Sequence, residues 1–389
     1  MITLQNADAA LKDYYLDAFT AELNENVSPF FSAIEKNTEG VSGKDVKLTI
    51  VRRNAGGIVA GSEDGDLPGP YKNRYINITM PLKNIYGTIE ISDKAMRASR
   101  ESAGAFVNLV NAEMEGLISS AKDNFRRMLF CDGTGYLCRI KRKVSANSYE
   151  VDYPRPYFVG MQVDVYVGSK EVANCNGIFI TALERENNII TFSADITENI
   201  EEGQIYVHGS KNTELSGIDA VFGRRSLYGA DKENDPYFIP YHLDTDGTLS
   251  VQKLCDILDY MEEARNSKIN MILCSYKTRK MIAALADDSK RIVNTIDINT
   301  GYGAITVSNV PVYADRFCHD NKIYFLNTED FALYQLCDWE WLEDEDGKIL
   351  KQIPGKAAYS ATLVKYAELI CRKPCGQAIL MDFDADYFF

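Results

Sequence analysis

The chain has 389 residues, 46% hydrophobic and 25% charged, ordinary globular values at a length that predicts two or three domains. A formal net charge of −14 argues against tight binding of nucleic acid, which needs a basic patch facing the phosphates. Nine scattered cysteines and only three histidines predict free thiols and no metal site; no apolar run approaches a membrane span, and the stretch from Met1 to Tyr15 has no basic leader or hydrophobic block of a secretion signal.

Taken in order, residues 3–25 predict an amphipathic helix, with Leu4, Ala7, Leu11, Tyr14, Tyr15, Ala18, Phe19 and Leu23 on one side and Ser28-Pro29 as its end. It is either a docking arm or the first helix of a domain. Lys44 to Val51 alternates polar and apolar residues as a half-buried strand does, and Ile76 to Leu82 alternates again. Between them lies a stretch rich in Gly, Pro and charge, with too little apolar surface to fold on itself. Together they predict an extended hairpin. Its tip is either a surface loop or a contact arm that orders on a neighbouring subunit. The second reading makes Arg52, Arg53, Glu63, Asp64, Asp66, Lys72 and Arg74 candidate inter-subunit contacts. Ile85 to Ile91 predicts a further strand.

From Ser92 to Gly135 the apolar residues Phe106, Val110, Met114, Leu117, Ala121, Phe125 and Met128 recur at helical spacing. About forty residues would make a rod of roughly 60 Å, with a kink near Ser102–Gly104. The turn Asp132-Gly133-Thr134-Gly135 stops it. Short strands separated by Gly and Asn turns follow, at 149–152, 162–167, 177–181, 188–192 and 204–207, as in a small barrel or sandwich. Residues 224–248 read as a polar linker. The last block is α/β: a helix over 249–266 carrying Leu254, Ile257, Leu258 and Met261, a strand at 270–274, a helix capped by Ser275, strands at 311–315 and 322–326, and long β segments over 331–345 and 358–383.

Motifs of chemistry are weak. Gly40-Val41-Ser42-Gly43-Lys44-Asp45 misplaces the first glycine of a phosphate loop and puts Asp where Ser or Thr belongs. Asp382, Asp384 and Asp386 imitate a calcium loop, but Tyr387 stands where its glycine should. The triplets at Asn26 and Asn77 match glycosylation acceptors without a secretion signal to use them. No enzymatic activity, cofactor or metal is expected.

The order of the parts resembles the major capsid protein of tailed bacteriophages, the Hong Kong ninety-seven fold. The stretches Gly56 to Glu63 with Leu67-Pro68-Gly69-Pro70, Lys83 to Asp93, Phe125 to Gly135, Val310 to Asp315, Ile323 to Leu326 and Leu369 to Pro374 are similar to its extended loop, the strand entering its spine helix, that helix's exit, two axial-domain strands and the closing peripheral strand. The resemblance implies an α+β chain: an N-terminal arm (1–43), an extended hairpin loop (44–91), the spine helix of a peripheral domain (92–139), an inserted small β domain (140–221) that departs from the minimal fold, a linker (222–248), an axial domain (249–335), and peripheral strands with the C-terminus (336–389). Phe106, Val110, Met114, Leu117, Ala121 and Phe125 would form the core of the spine helix. The implied function is self-assembly, as hexamers and pentamers of identical subunits, into an icosahedral or prolate head shell around DNA that is touched only weakly. A separate scaffolding protein, a portal and decoration proteins are the further expected partners, with no membrane, and assembly would take place in the bacterial host cytoplasm. Encapsulin-like nanocompartment shells share the fold and are the first alternative; a soluble multidomain enzyme is the second.

Overall fold

The computed structural model describes residues 28–53, 60–63, 66, 73–94, 103–152, 157–194, 196, 200–288, 296–297, 303–344 and 347–383. The helix expected over 3–25 lies outside them. Ser28-Pro29, read as the end of that helix, starts another, α1 (Pro29–Ala33). Ser28 Oγ accepts the Phe31 N–H at 3.0 Å, and Pro29 sits in the first turn, where its missing N–H is no loss. α1 drives Phe30 and Phe31 into the main core, edge-on to Phe331 and Phe125 with ring centroids 5.3 Å apart. β1 (Glu35–Asn37) then pairs in parallel with residues 332–334. The expected arm over 1–43 is therefore part of the body from residue 28 onward.

β2 (Val41–Ser42), β3 (Asp45–Arg53) and β4 (Arg74–Pro81) form the expected hairpin, in antiparallel register from Asp45 opposite Pro81 to Arg53 opposite Arg74. β5 (Lys83–Ser92) does not belong to it, contrary to the boundary expected at residue 91: it pairs antiparallel with residues 358–367. Ile89 and Ile91 need a covered face, which the following helix provides.

That helix, α2 (Ala103–Phe130), runs for 28 residues. Residues 95–102, where a rod of about forty would begin and kink, lie outside the described set. Met114 and Phe125 are buried and Leu117 and Ala121 half-buried, as the spacing requires. Phe106 and Val110 lie on the same helix with their side chains outside the described residues. The helix presses so close to β5 that a Cβ on Gly87 would stand 2.7 Å from Leu117 Cδ1. It stops where expected: Asp132 Oδ1 accepts the Thr134 N–H at 2.9 Å.

The next strands are β6 (Tyr136–Lys143), β7 (Ser148–Val151), β8 (Gln162–Val167), β9 (Lys170–Glu171), β10 (Ile178–Glu184), β11 (Ile189–Phe192) and β12 (Gln204–Val207). Antiparallel pairing runs from β6 through β7, β11, β10, β8 and β12 back to β6, which closes a barrel; β9 is a short appendage on β8. Ile140, Val163, Val165, Ile180, Phe192 and Ile205 fill it with no exposure. Closure removes the free edges that an isolated sheet would present. β6 has no counterpart in the sequence reading. Its outward Arg139, Lys141 and Arg142 swamp the apolar signal of Leu137 and Ile140; Arg139 pairs with Glu202, and Lys141 and Arg142 share Glu150.

The expected linker is mostly ordered body. After α3 (Ile218–Gly223), β13 (Ser226–Leu227) and β14 (Ala230–Asp231) form a small hairpin, and Leu227, Tyr228 and Phe238 pack on Val46, Ile50 and Ile78 at the base of β3 and β4. β15 (Tyr241–Gly247) is an edge strand. Its polar alternation faces out, which made it look like a loop.

Then follow α4 (Val251–Arg265), β16 (Met271–Cys274), α5 (Tyr276–Asp288), β17 (Ile296–Asp297), β18 (Gly303–Val307), β19 (Val310–Ala314), β20 (Lys322–Leu326), β21 (Phe331–Trp341), β22 (Lys351–Gln352), β23 (Ala358–Cys371) and β24 (Ala378–Phe383). A mixed sheet of seven strands has the order β15-β24-β20-β16-β19-β18-β17. On one side Ile272, Cys274 and Phe325 meet Leu254, Ile257 and Met261 of α4 and Met281 and Ile282 of α5. On the other, Met271, Leu273 and Tyr324 join the core around α2. β24 was expected among the peripheral strands. It is instead an inner strand here, because Ala378, Ile379 and Leu380 are all buried and need cover on both faces. The second large sheet has β23 at its centre, with β5 on one edge and β21 and β22 on the other, and β1 beyond β21.

Candidate subunit-contact surfaces

The hairpin has two unlike faces, because successive strand residues point to opposite sides. Val46, Ile50 and Ile78 are buried, with Leu48, Ile76 and Met80 half-buried beside them. Arg52 continues this inward series and binds Asp235 of its own chain at 2.6 Å. It was expected to reach a neighbour; strand alternation turns it home. The outward face pairs Lys47 with Thr79, Thr49 with Asn77 and Val51 with Tyr75. Thr49 Oγ1 donates to Asn77 Oδ1 at 2.9 Å. Val51 and Tyr75 are 44% and 59% exposed, an apolar pair near the tip. The sequence reading named only charged residues there and missed both, although the alternation already put them on one face. Arg74, Glu63 and Asp66 are exposed. Asp64, Lys72 and the Arg53 side chain lie outside the described residues.

A second surface is the sheet face turned away from α2. Tyr86 is 58% exposed and meets Tyr366 edge-on at 6.2 Å, and Thr88 and Thr362 share a hydrogen bond of 3.1 Å. Beside them Trp341, Leu342, Ile349 and Val364 line a hollow of about 370 Å³, rimmed by Glu340 and Glu343.

Buried charge ties parts of the chain together at the end of α2. Arg126 and Arg127 are adjacent, so they leave the helix in different directions. Arg126 Nε donates to Asp315 Oδ2 at 2.9 Å, beside β19. Arg127 forms a two-pronged pair with Glu214, at 2.9 and 2.5 Å, on the return from the barrel. Asp219 of α3 accepts from Lys322 at 3.2 Å and from the Tyr324 hydroxyl at 2.7 Å. Burial pushes Asp315 above the usual carboxylate range, against the opposing pull of Arg126. Lys365 of β23 is lowered by burial and held by Gln335 at 2.9 Å and Asp338 at 2.5 Å. Each carboxylate in this set has a cation or donor, as buried charge requires. At the start of α3, a Cβ on Gly217 would stand 2.3 Å from Met128 O, so the segment returning from the barrel passes directly against the end of α2.

Among the described residues no cluster of His, Cys, Asp and Glu could hold a metal ion, and no helix is long and apolar enough to cross a membrane.

No protein-family model matches the sequence, and no curated protein matches it. Solved structures do. The capsid asymmetric unit of cyanophage A-1(L) superposes with a TM-score of 0.55 at 12% identity, covering 92% of this chain and 93% of that one. The capsid of a native GTA particle gives 0.52 at 10% identity, covering 92% and 91%. The holo-SrpI encapsulin complex from Synechococcus elongatus PCC 7942 gives 0.48 at 11% identity, covering 94% and 91%, a likeness too loose to bear on function. The two closer superpositions run nearly end to end, so the chain has the α+β fold of phage capsid subunits.

Proposed function

We propose that this chain is the major capsid protein of a tailed bacteriophage, and that identical copies assemble as hexamers and pentamers into an icosahedral or prolate head around packaged DNA. The observation that carries this reading is the near-complete superposition on a capsid subunit, over 92% of this chain. The hairpin supports it. Its base is fixed to the body, while Val51 and Tyr75 stay exposed on its outward face. Rotationally closed contacts between copies make rings, and an arm that crosses to a neighbour spreads each interface over more than one partner. A charge of −14 suits a wall along which DNA slides without sticking. A separate scaffolding protein, a portal and decoration proteins would be the other partners, with the finished shell in the virion.

Expression of the full chain followed by electron microscopy tests this. Closed shells or capsomer rings, with or without an added scaffold, are the expected result. A chain that remains monomeric at every concentration contradicts it. Small shells loaded with a protein cargo would transfer the reading to a nanocompartment.

A further inference from the structure

A cavity of about 420 Å³ lies where the end of α2, the first barrel strand, α3 and the seven-stranded sheet meet. Its volume falls in the range of small-molecule sites. The rings of Phe130, Phe222 and Phe317 supply aromatic walls. The carboxylates on its wall are already engaged: Asp132 accepts from Thr134, and Asp219 from Lys322 and Tyr324. The donors are in surplus. Arg127 is buried to 1% exposure, lines the cavity, and its Nε–H has no acceptor among the described residues. Arg224 spends one N–H on a long 3.5 Å bond to Ser216 Oγ. His242, exposed on β15 and edge-on to Phe222 at 5.9 Å, borders the cavity. Partial burial and the nearby Lys232 and Lys322 hold its imidazole below the ordinary value.

We infer that this junction cavity binds a small aromatic oxyanion, a ring carrying a phosphate or carboxylate, with the ring against Phe222 and Phe317, the oxygens toward Arg224 and His242, and Arg127 as the buried cation behind them. Donors beside aromatic walls select for an acceptor attached to a flat apolar group. The site does not depend on the capsid reading, since it lies within one subunit. Occupied, it would brace the barrel against the seven-stranded sheet, because α2, β6, α3, β15, β20 and β24 all contribute to its wall.

The test is calorimetric titration and thermal denaturation of the full chain with phenyl phosphate, with inorganic phosphate and phenol as the separated halves. Saturable binding of phenyl phosphate, at least about tenfold tighter than either half and accompanied by a rise in Tm, is expected. Arg224→Met, on the half-buried rim, should weaken it about tenfold, and His242→Ala should weaken it as well. Near-UV circular dichroism establishes that each variant is folded. Absence of saturable binding at millimolar phenyl phosphate overturns the inference. So does undiminished binding in both folded variants, or binding of inorganic phosphate alone with equal affinity.

Discussion

Glu368 is wholly buried on β23, accepts the Ser216 N–H on one oxygen at 2.7 Å, and has no hydrogen-bond partner for the other among the described residues. Burial pushes its carboxyl up to about 7, against Lys83, Arg224 and the Ser216 hydrogen bonds. The folded state therefore holds this proton more tightly than the unfolded chain does. The stabilisation is complete below about 4.5, the ordinary value, and is lost as pH rises through about 7. The span is worth on the order of 3 kcal/mol. Glu368→Gln should flatten the fall in urea-unfolding stability between pH 5 and pH 8; an unchanged slope would show that other groups set it. The Arg127–Glu214 pair makes a second residue-scale prediction. Arg127→Met leaves Glu214, 1% exposed, without its partner and should cost about 3–5 kcal/mol. Adding Glu214→Leu should restore much of that loss, because the pair's attraction mainly offsets its own desolvation. A double-mutant cycle by urea denaturation reads the difference.

At the scale of elements, the hairpin has a docked base, and the described residues towards its far end are exposed. Val46 and Ile78 are buried under Leu227 and Phe238, whereas Glu63, Asp66 and Tyr75 are exposed. Deleting residues 55–74 should leave near-UV circular dichroism and Tm almost unchanged while abolishing shells on a sucrose gradient. Normal particles from that deletion would mean the tip has no role in assembly. Tyr75→Glu should act in the same direction, since it places a charge in the exposed apolar pair. The barrel is an element of another kind, closed on its own core and joined to the body through the end of α2 and the return to α3.

For the whole molecule, that closure predicts separable stability. The barrel core and the core around α2 are distinct clusters. Differential scanning calorimetry should therefore give more than one transition, with calorimetric enthalpy exceeding the van't Hoff value. A single two-state transition would show that the Arg127–Glu214 pair and the packing at Gly217 couple the two completely. The main core, by contrast, joins α1, α2, the sheet around β23 and one side of the seven-stranded sheet, so these should unfold together.

Local periodicity alone determined much of this protein. Leu254, Ile257, Leu258 and Met261 face inward on α4 as their spacing required, the strand at 322–326 stands where it was expected, and Asp132 turns the chain at the foot of α2. Such features depend on neighbours a few residues apart, and the sequence displays those directly. Tertiary structure decided which sheet each strand joined. β5 pairs with β23, where Thr88 meets Thr362 across 274 residues, and β24 enters the seven-stranded sheet. It also turned Arg52 inward, sent Arg126 and Arg127 to different partners, and formed the cavity where the end of α2, β6, α3 and the seven-stranded sheet meet. A strand's pattern specifies that one face is to be covered but not by what. The partner is chosen by backbone pairing and packing between distant segments, which no local window of sequence contains.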